Sequence, residues 1–180
     1  MKTLSCMVLA IVLCSTAFTA WAAEFPQVGD TLPPFVMSAL ILDEDAAALG
    51  LDPNREFTLA DIATPYVMIE IIGVYCKVCH EQLSTLTKLY KRLRKTHLDE
   101  RVTMLGIAAG ATPMEVEFIR QNDYVFPMVH DTEFEIYNAF GDTKTPFTMI
   151  VDKEGKVLYA QQGAITDLKA FLNELESLVE

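Results

Sequence analysis

The chain has 180 residues, 51% of them hydrophobic, and its 14 Lys and Arg stand against 25 Asp and Glu for a formal charge of −11. That length and apolar content suit one globular core and argue against both a disordered chain and a string of domains. The acidic balance, with no basic run beyond Lys88 to Lys95, argues against nucleic acid as a partner.

Residues 1–22 differ from the rest. Met1-Lys2 supplies a short positive start, Leu4 to Phe18 is largely apolar, and Ala20-Trp21-Ala22 sets small residues around one bulky one. This is the pattern of a secretory signal peptide cleaved after Ala22, which leaves 23–180 as the domain. The apolar stretch is slightly short for a membrane span, which needs roughly 20 residues; a retained anchor is the alternative. Leu13 precedes Cys14 where a lipid-attachment site wants a small residue. Cleavage removes Lys2, Cys6 and Cys14, so the mature chain carries 13 − 25 = −12 and keeps two cysteines, Cys76 and Cys79. The expected location is the periplasm or another extracytoplasmic space, soluble after cleavage and membrane-anchored if the segment is retained.

Glu24 to Pro34 reads as extended and proline-rich, Asp43 to Asn54 as a surface insertion, and Phe57 to Ile62 as a short strand and turn. Tyr66 to Gly73 is a nearly continuous apolar run, the mark of a strand buried on both faces. After the cysteines, Leu83, Leu86, Tyr90 and Leu93 recur at helical steps with Lys88, Lys91, Arg92 and Lys95 opposite. This is an amphipathic helix whose basic end suits the negative end of its dipole, and its lysines form a solvated face. Val102 to Ala108 is a second buried strand. Thr112-Pro113-Met114-Glu115 combines a cap, a proline at the first helical position and the glutamate of a capping box, so a helix starts there. Glu133 to Phe140 reads as a short helix; Phe147 to Val151 and Val157 to Tyr159 as a hairpin around Asp152 to Gly155; Thr166 to Glu180 as a closing amphipathic helix. The order β-α-β-α-α-β-β-α predicts an α/β fold, a mixed central β-sheet flanked by helices on both faces.

Cys76-Lys77-Val78-Cys79 falls where the first buried strand ends and the amphipathic helix begins. A pair at this spacing in an exported chain is a redox pair or a ligand pair; as a staple it encloses too short a loop to remove much unfolded-chain entropy. At the helix start, the Cys76 sulfur lies near unpaired backbone amides that favour a thiolate, and Lys77 and His80 add positive potential.

Gly73 to Cys79 after an apolar strand resembles the thioredoxin-like active site, and Thr145-Pro146-Phe147 through Val157 resembles the segment where that family carries a cis-proline and a hairpin. The match runs from about Pro26 to the C-terminus and is most similar to the TlpA/ResA type of exported thiol-disulfide oxidoreductase. The resemblance implies a thioredoxin-like fold in which Cys76 attacks and Cys79 resolves the mixed disulfide. It implies a cis bond at Pro146 facing the disulfide, which leaves the Thr145 backbone free for a substrate strand, with Tyr75 beside it where the family has tryptophan. Glu70, six residues before Cys76, matches the buried acid of thioredoxin in position and would move protons for Cys79. The implied partners are disulfide-containing exported proteins and a membrane thiol electron donor. The implied direction is reducing, for example in cytochrome c or copper-site assembly, and no cofactor or metal is expected.

Cys76-Lys77-Val78-Cys79-His80 also spells the attachment pattern of c-type haem, a carrier reading in which both sulfurs and His80 serve the cofactor. A second carrier reading joins Cys76, Cys79 and His130 as a copper site. A peroxidase reading lacks its threonine, since Gly73 stands three residues before Cys76.

Overall fold

The computed structural model describes residues 25–141 and 143–179. The expected signal segment, with Cys6 and Cys14, lies outside them. Among the described residues no helix is long and apolar enough to cross a membrane.

A five-stranded sheet in the order β3-β2-β1-β4-β5 organises the chain. Its strands are β1 (Tyr66–Ile72), β2 (Val102–Ala109), β3 (Met128–Asp131), β4 (Phe147–Asp152) and β5 (Val157–Gln162). The first three run parallel, whereas β4 is antiparallel to β1 and to β5, so the sheet is mixed as its element order requires. Every residue of β1 after Tyr66 is buried, because it lies at the centre with partners on both edges and apolar layers on both faces. Val67, Ile69 and Ile71 point into one layer with α1 (Asp43–Leu49) and α5 (Glu135–Ala139). Met68 and Ile72 point into the other, with α2 (Lys77–Glu81), α3 (Leu83–Thr96), α4 (Pro113–Asn122) and α6 (Leu168–Val179). Strand side chains alternate, so Glu70 is directed into this second layer, beneath the cysteine-bearing helix.

The helix after β1 breaks once: Gln82 closes α2 and opens α3. Leu86, Leu89 and Leu93 then bury its apolar stripe. Helix α4 opens as its sequence dictates, with Pro113 in the first turn and a complete capping box between Thr112 and Glu115.

Three elements depart from expectation. Asp43 to Asn54 is not a surface insertion: Asp43–Leu49 is helical, ends on Gly50 in the left-handed conformation (φ 71°), and buries Asp45, Ala46 and Leu49. The acids that suggest exposure are used instead as a favourable first turn and as a buried ion pair. Arg120 of α4 grips Asp45 through Nε to Oδ2 at 2.8 Å and through a second, parallel bond to Oδ1. Phe57 to Ile62 forms no strand of the sheet; Phe57 makes an isolated bridge with Met37, and Leu59–Asp61 is a 3-10 turn held by the Thr58 and Asp61 side chains. Strand β3 was absent from the expected order. Four residues containing His130 and Asp131 show no apolar alternation, and their extended form comes from pairing with Gly106 to Ala109 of β2.

Candidate active site

Cys76 and Cys79 are joined as a disulfide, with Cα atoms 5.3 Å apart. Cys76 is the N-cap of α2: its backbone is extended and its Sγ accepts the Cys79 N–H at 3.1 Å. It is half-buried, whereas Cys79, one turn inside the helix, has no exposure at all. One residue of the pair is therefore partly open to solvent and the other faces the core. A sulfur at a helix N-cap is held by N–H groups without intrahelical partners, which stabilise negative charge on it.

The Thr145–Pro146 peptide is cis, and the Thr145 carbonyl oxygen lies 3.6 Å from Cys76 Sγ. Pro146 is buried at the start of β4, and its carbonyl accepts the Gly163 N–H at 2.9 Å, which ties this loop to the end of β5. Tyr75 projects from the other side with 87% exposure. Its hydroxyl donates to Glu115 Oε1 at 2.7 Å, while Glu115 Oε2 completes the cap of α4. The backbone and hydroxyl of Thr112 together with the Tyr75 hydroxyl hold the Glu115 carboxyl below the usual carboxylate range. The residue before Cys76 is thereby tied to a second helix.

Glu70 is fully buried. Its Oε2 accepts the Thr148 hydroxyl at 2.6 Å, and its Oε1 accepts the amide of Gln82. Loss of hydration outweighs these two bonds and pushes the carboxyl from its ordinary 4.5 up to about 8. Gln82 and Thr148 are the site residues that sequence reasoning missed. Each carries a weak signal: Gln82 stands three residues past Cys79 at the helical break, and Thr148 is a lone hydroxyl in an apolar strand, directly across from Glu70 in the β1–β4 register.

The residues of the carrier readings lie otherwise. His80 Nε2 is 2.7 Å from the Val74 carbonyl oxygen, so the ring braces the loop before Cys76. His130 sits on β3 with Nδ1 3.1 Å from the Thr132 hydroxyl. Among the described residues no three His, Cys, Asp or Glu side chains form a metal-holding group, so His130 is not brought together with the cysteines. Lys77 pairs at the surface with Glu81 at 3.5 Å.

A cysteine pair capping the helix after a central parallel strand, with a cis-proline loop against it, defines a thioredoxin-like thiol-disulfide oxidoreductase. Residues 28–160 match the AhpC/TSA family, and the chain belongs to it. It is 28% identical over 178 residues to the thiol-disulfide oxidoreductase ResA of Geobacillus thermodenitrificans, covering 94% of this chain and 93% of that one. The ResA of Bacillus subtilis is 22% identical, covering 89% and 84%. Among solved structures, the thioredoxin domain of thiol-disulfide oxidoreductase BVU-2223 from Bacteroides vulgatus superimposes with a TM-score of 0.63 at 16% identity, covering 86% of this chain and 99% of that one. Mycobacterium tuberculosis AhpC does so with a TM-score of 0.64 at 18% identity, covering 87% and 100%. These two likenesses concern the fold.

Proposed function

We propose that this oxidoreductase reduces disulfides in exported proteins, with Cys76 as the attacking sulfur, Cys79 as the resolving sulfur and Glu70 as the group that exchanges a proton with Cys79. The observation that carries the reading is the asymmetry of the pair: a half-buried, helix-capping Cys76 above a fully buried Cys79 and a buried carboxyl. In the reducing direction the Cys76 thiolate attacks a substrate disulfide, forming one S–S bond as another breaks, and one substrate sulfur leaves and takes a proton. Cys79 then gives its proton to the Glu70 carboxylate and attacks Cys76 Sγ; the second substrate sulfur leaves, and the enzyme is left as the disulfide described above. Reduction of that disulfide by a membrane thiol donor restores the start. Thr145, Pro146 and Tyr75 form the groove: the Thr145 backbone pairs with the substrate strand, Pro146 shapes the loop, and Tyr75 walls it.

The direction rests on two arguments. A buried carboxyl beneath the pair opposes accumulation of a second negative charge, which disfavours a strongly oxidising pair, and the resemblance to the TlpA/ResA type points the same way. Exported partners, such as those of cytochrome c or copper-site assembly, and an extracytoplasmic location follow from the same resemblance and from the signal pattern of residues 1–22. A redox titration of the Cys76–Cys79 pair against glutathione tests the direction: the expected midpoint is below roughly −200 mV, and a value near roughly −120 mV with rapid oxidation of a reduced peptide would reverse it.

Glu70→Gln tests the proton role. The amide keeps the shape and removes the transferable proton, so single-turnover resolution of a mixed disulfide is expected to slow by about 100-fold with the fold intact. Stability should report the same group. The folded carboxyl binds its proton up to about 8 while the unfolded one releases it at its ordinary 4.5, so the folded state holds more protons in between. The contribution of Glu70 to folding stability is therefore greatest below the lower value and falls as pH rises toward the upper one, and Glu70→Gln flattens that part of the slope. An unchanged resolution rate would reduce Glu70 to a structural acid.

A further inference from the structure

The carboxyl of Glu70 has two oxygens with different neighbours, and the difference decides where a proton can sit. Gln82 presents its amide end-on: its Oε1 accepts the Ile165 backbone N–H at 3.1 Å, and its Nε2 donates to Glu70 Oε1. A backbone N–H can only donate, so the end of the amide facing Ile165 must be the oxygen and the end facing Glu70 must be the NH2 group. That NH2 cannot accept. A proton on Glu70 Oε1 would therefore set donor against donor between two side chains that are both buried. At the other oxygen stands the Thr148 hydroxyl, 2.6 Å from Oε2. A hydroxyl donates to a carboxylate and, after rotation, accepts from a carboxylic acid.

We propose that Gln82 is a positioning residue that locks Glu70 Oε1 as a permanent acceptor, so that the proton exchanged during catalysis resides on Oε2, where Thr148 turns between donor and acceptor. The inference rests on the reading of Glu70 as the proton-exchanging group. The proton leaving the Cys79 thiol is received at Oε2, Thr148 rotates to accept from it, and the Gln82 bond is unchanged throughout. The two partners thus differ in kind. Gln82 donates to Oε1 in both forms and more strongly to the ionised one, whereas Thr148 changes from donor to acceptor. Gln82 also comes from the helical break between α2 and α3, and Ile165 from the segment leading to α6, so the lock ties the carboxyl to two elements packed on β1. The titratable groups that feel the charge of this carboxyl are Tyr124, whose buried hydroxyl has no hydrogen-bond partner among the described residues, and Tyr159 of β5.

The test follows the Glu70 side-chain carboxyl by carbon-13 NMR in the oxidised, full-length protein, with the resonance assigned by its disappearance in Glu70→Gln. In the native protein it should titrate with a midpoint of about 8. Gln82→Met is expected to raise that midpoint by about one pH unit, a tenfold change, because the lost donor bonds the charged form more strongly than the neutral one. Thr148→Val should move it by less than half as much, since the charged form loses a donor and the neutral form loses the acceptor of its own proton, and Thr148→Ser should leave it in place. Gln82→Met also strips the Ile165 N–H of its acceptor; Gln82→Glu supplies a variant that keeps an acceptor there and should raise the midpoint as well. A shift in Thr148→Val equal to or larger than that in Gln82→Met, or no shift in either Gln82 variant, would overturn the assignment. Failure of the underlying reading is separable: these shifts would appear as described while Glu70→Gln resolved mixed disulfides at the native rate.

Discussion

Cys79→Ser is expected to accumulate a covalent mixed disulfide with a supplied protein disulfide, and Cys76→Ser to accumulate none. In the first variant the half-buried Cys76 still caps α2 and attacks, but no second sulfur stands behind it to displace the substrate. In the second, the remaining sulfur has no exposure to solvent, and a buried thiol in apolar surroundings holds its proton and is a poor nucleophile. The effect should be close to all-or-none on a non-reducing gel, because the resolving step is intramolecular and its loss removes a large effective concentration of thiol. Gel bands of equal intensity from both variants, or bands from Cys76→Ser alone, would reverse the assignment of the two sulfurs. The same trap identifies the physiological partner when it is expressed in the source cell.

Arg120→Ala is expected to destabilise the folded protein by about 3–5 kcal/mol, the range for removing one partner of a buried ion pair. The Arg120 and Asp45 side chains keep 8% and 4% of their exposure, so the carboxylate left behind cannot recover its hydration. The loss extends further, since Arg120 Nη1 also donates to the Tyr124 carbonyl and Nη2 stands 3.6 Å from Glu44. In a domain of this size the melting temperature should fall by about 10 °C. Arg120→Lys, which keeps the charge and loses the bidentate fork, should lie between, and the pair Asp45→Leu with Arg120→Met should recover much of the loss because neither charge remains buried. Disulfide exchange at low temperature should persist in all of them, since α1 is not part of the cysteine site. Chemical denaturation of the oxidised protein reads the differences; a loss under about 1 kcal/mol for Arg120→Ala would mark the pair as effectively solvated.

What the amino-acid order determined by itself is whatever rests on local pattern. The unbroken apolar run of β1, the apolar stripe of α3, the capping box at Thr112 and Glu115, and the turn that makes the β4–β5 hairpin are all encoded within a few neighbouring residues, and each stands where its pattern puts it. The cysteine pair is equally local, because its spacing and its place between strand and helix need no distant residue. Tertiary structure decided the rest. Strand β3 exists through the edge that β2 offers it, and α1 is buried because Arg120, 75 residues away, neutralises Asp45. The protonation behaviour of Glu70 arises in the same way, from a hydroxyl 78 residues distant on β4 and an amide whose orientation is set by a backbone N–H 83 residues beyond it. A carboxylate in an apolar strand announces itself in the order of residues. Its proton affinity depends on how completely water is excluded and on which donors close around it, and those are properties of elements brought together only when the chain has folded.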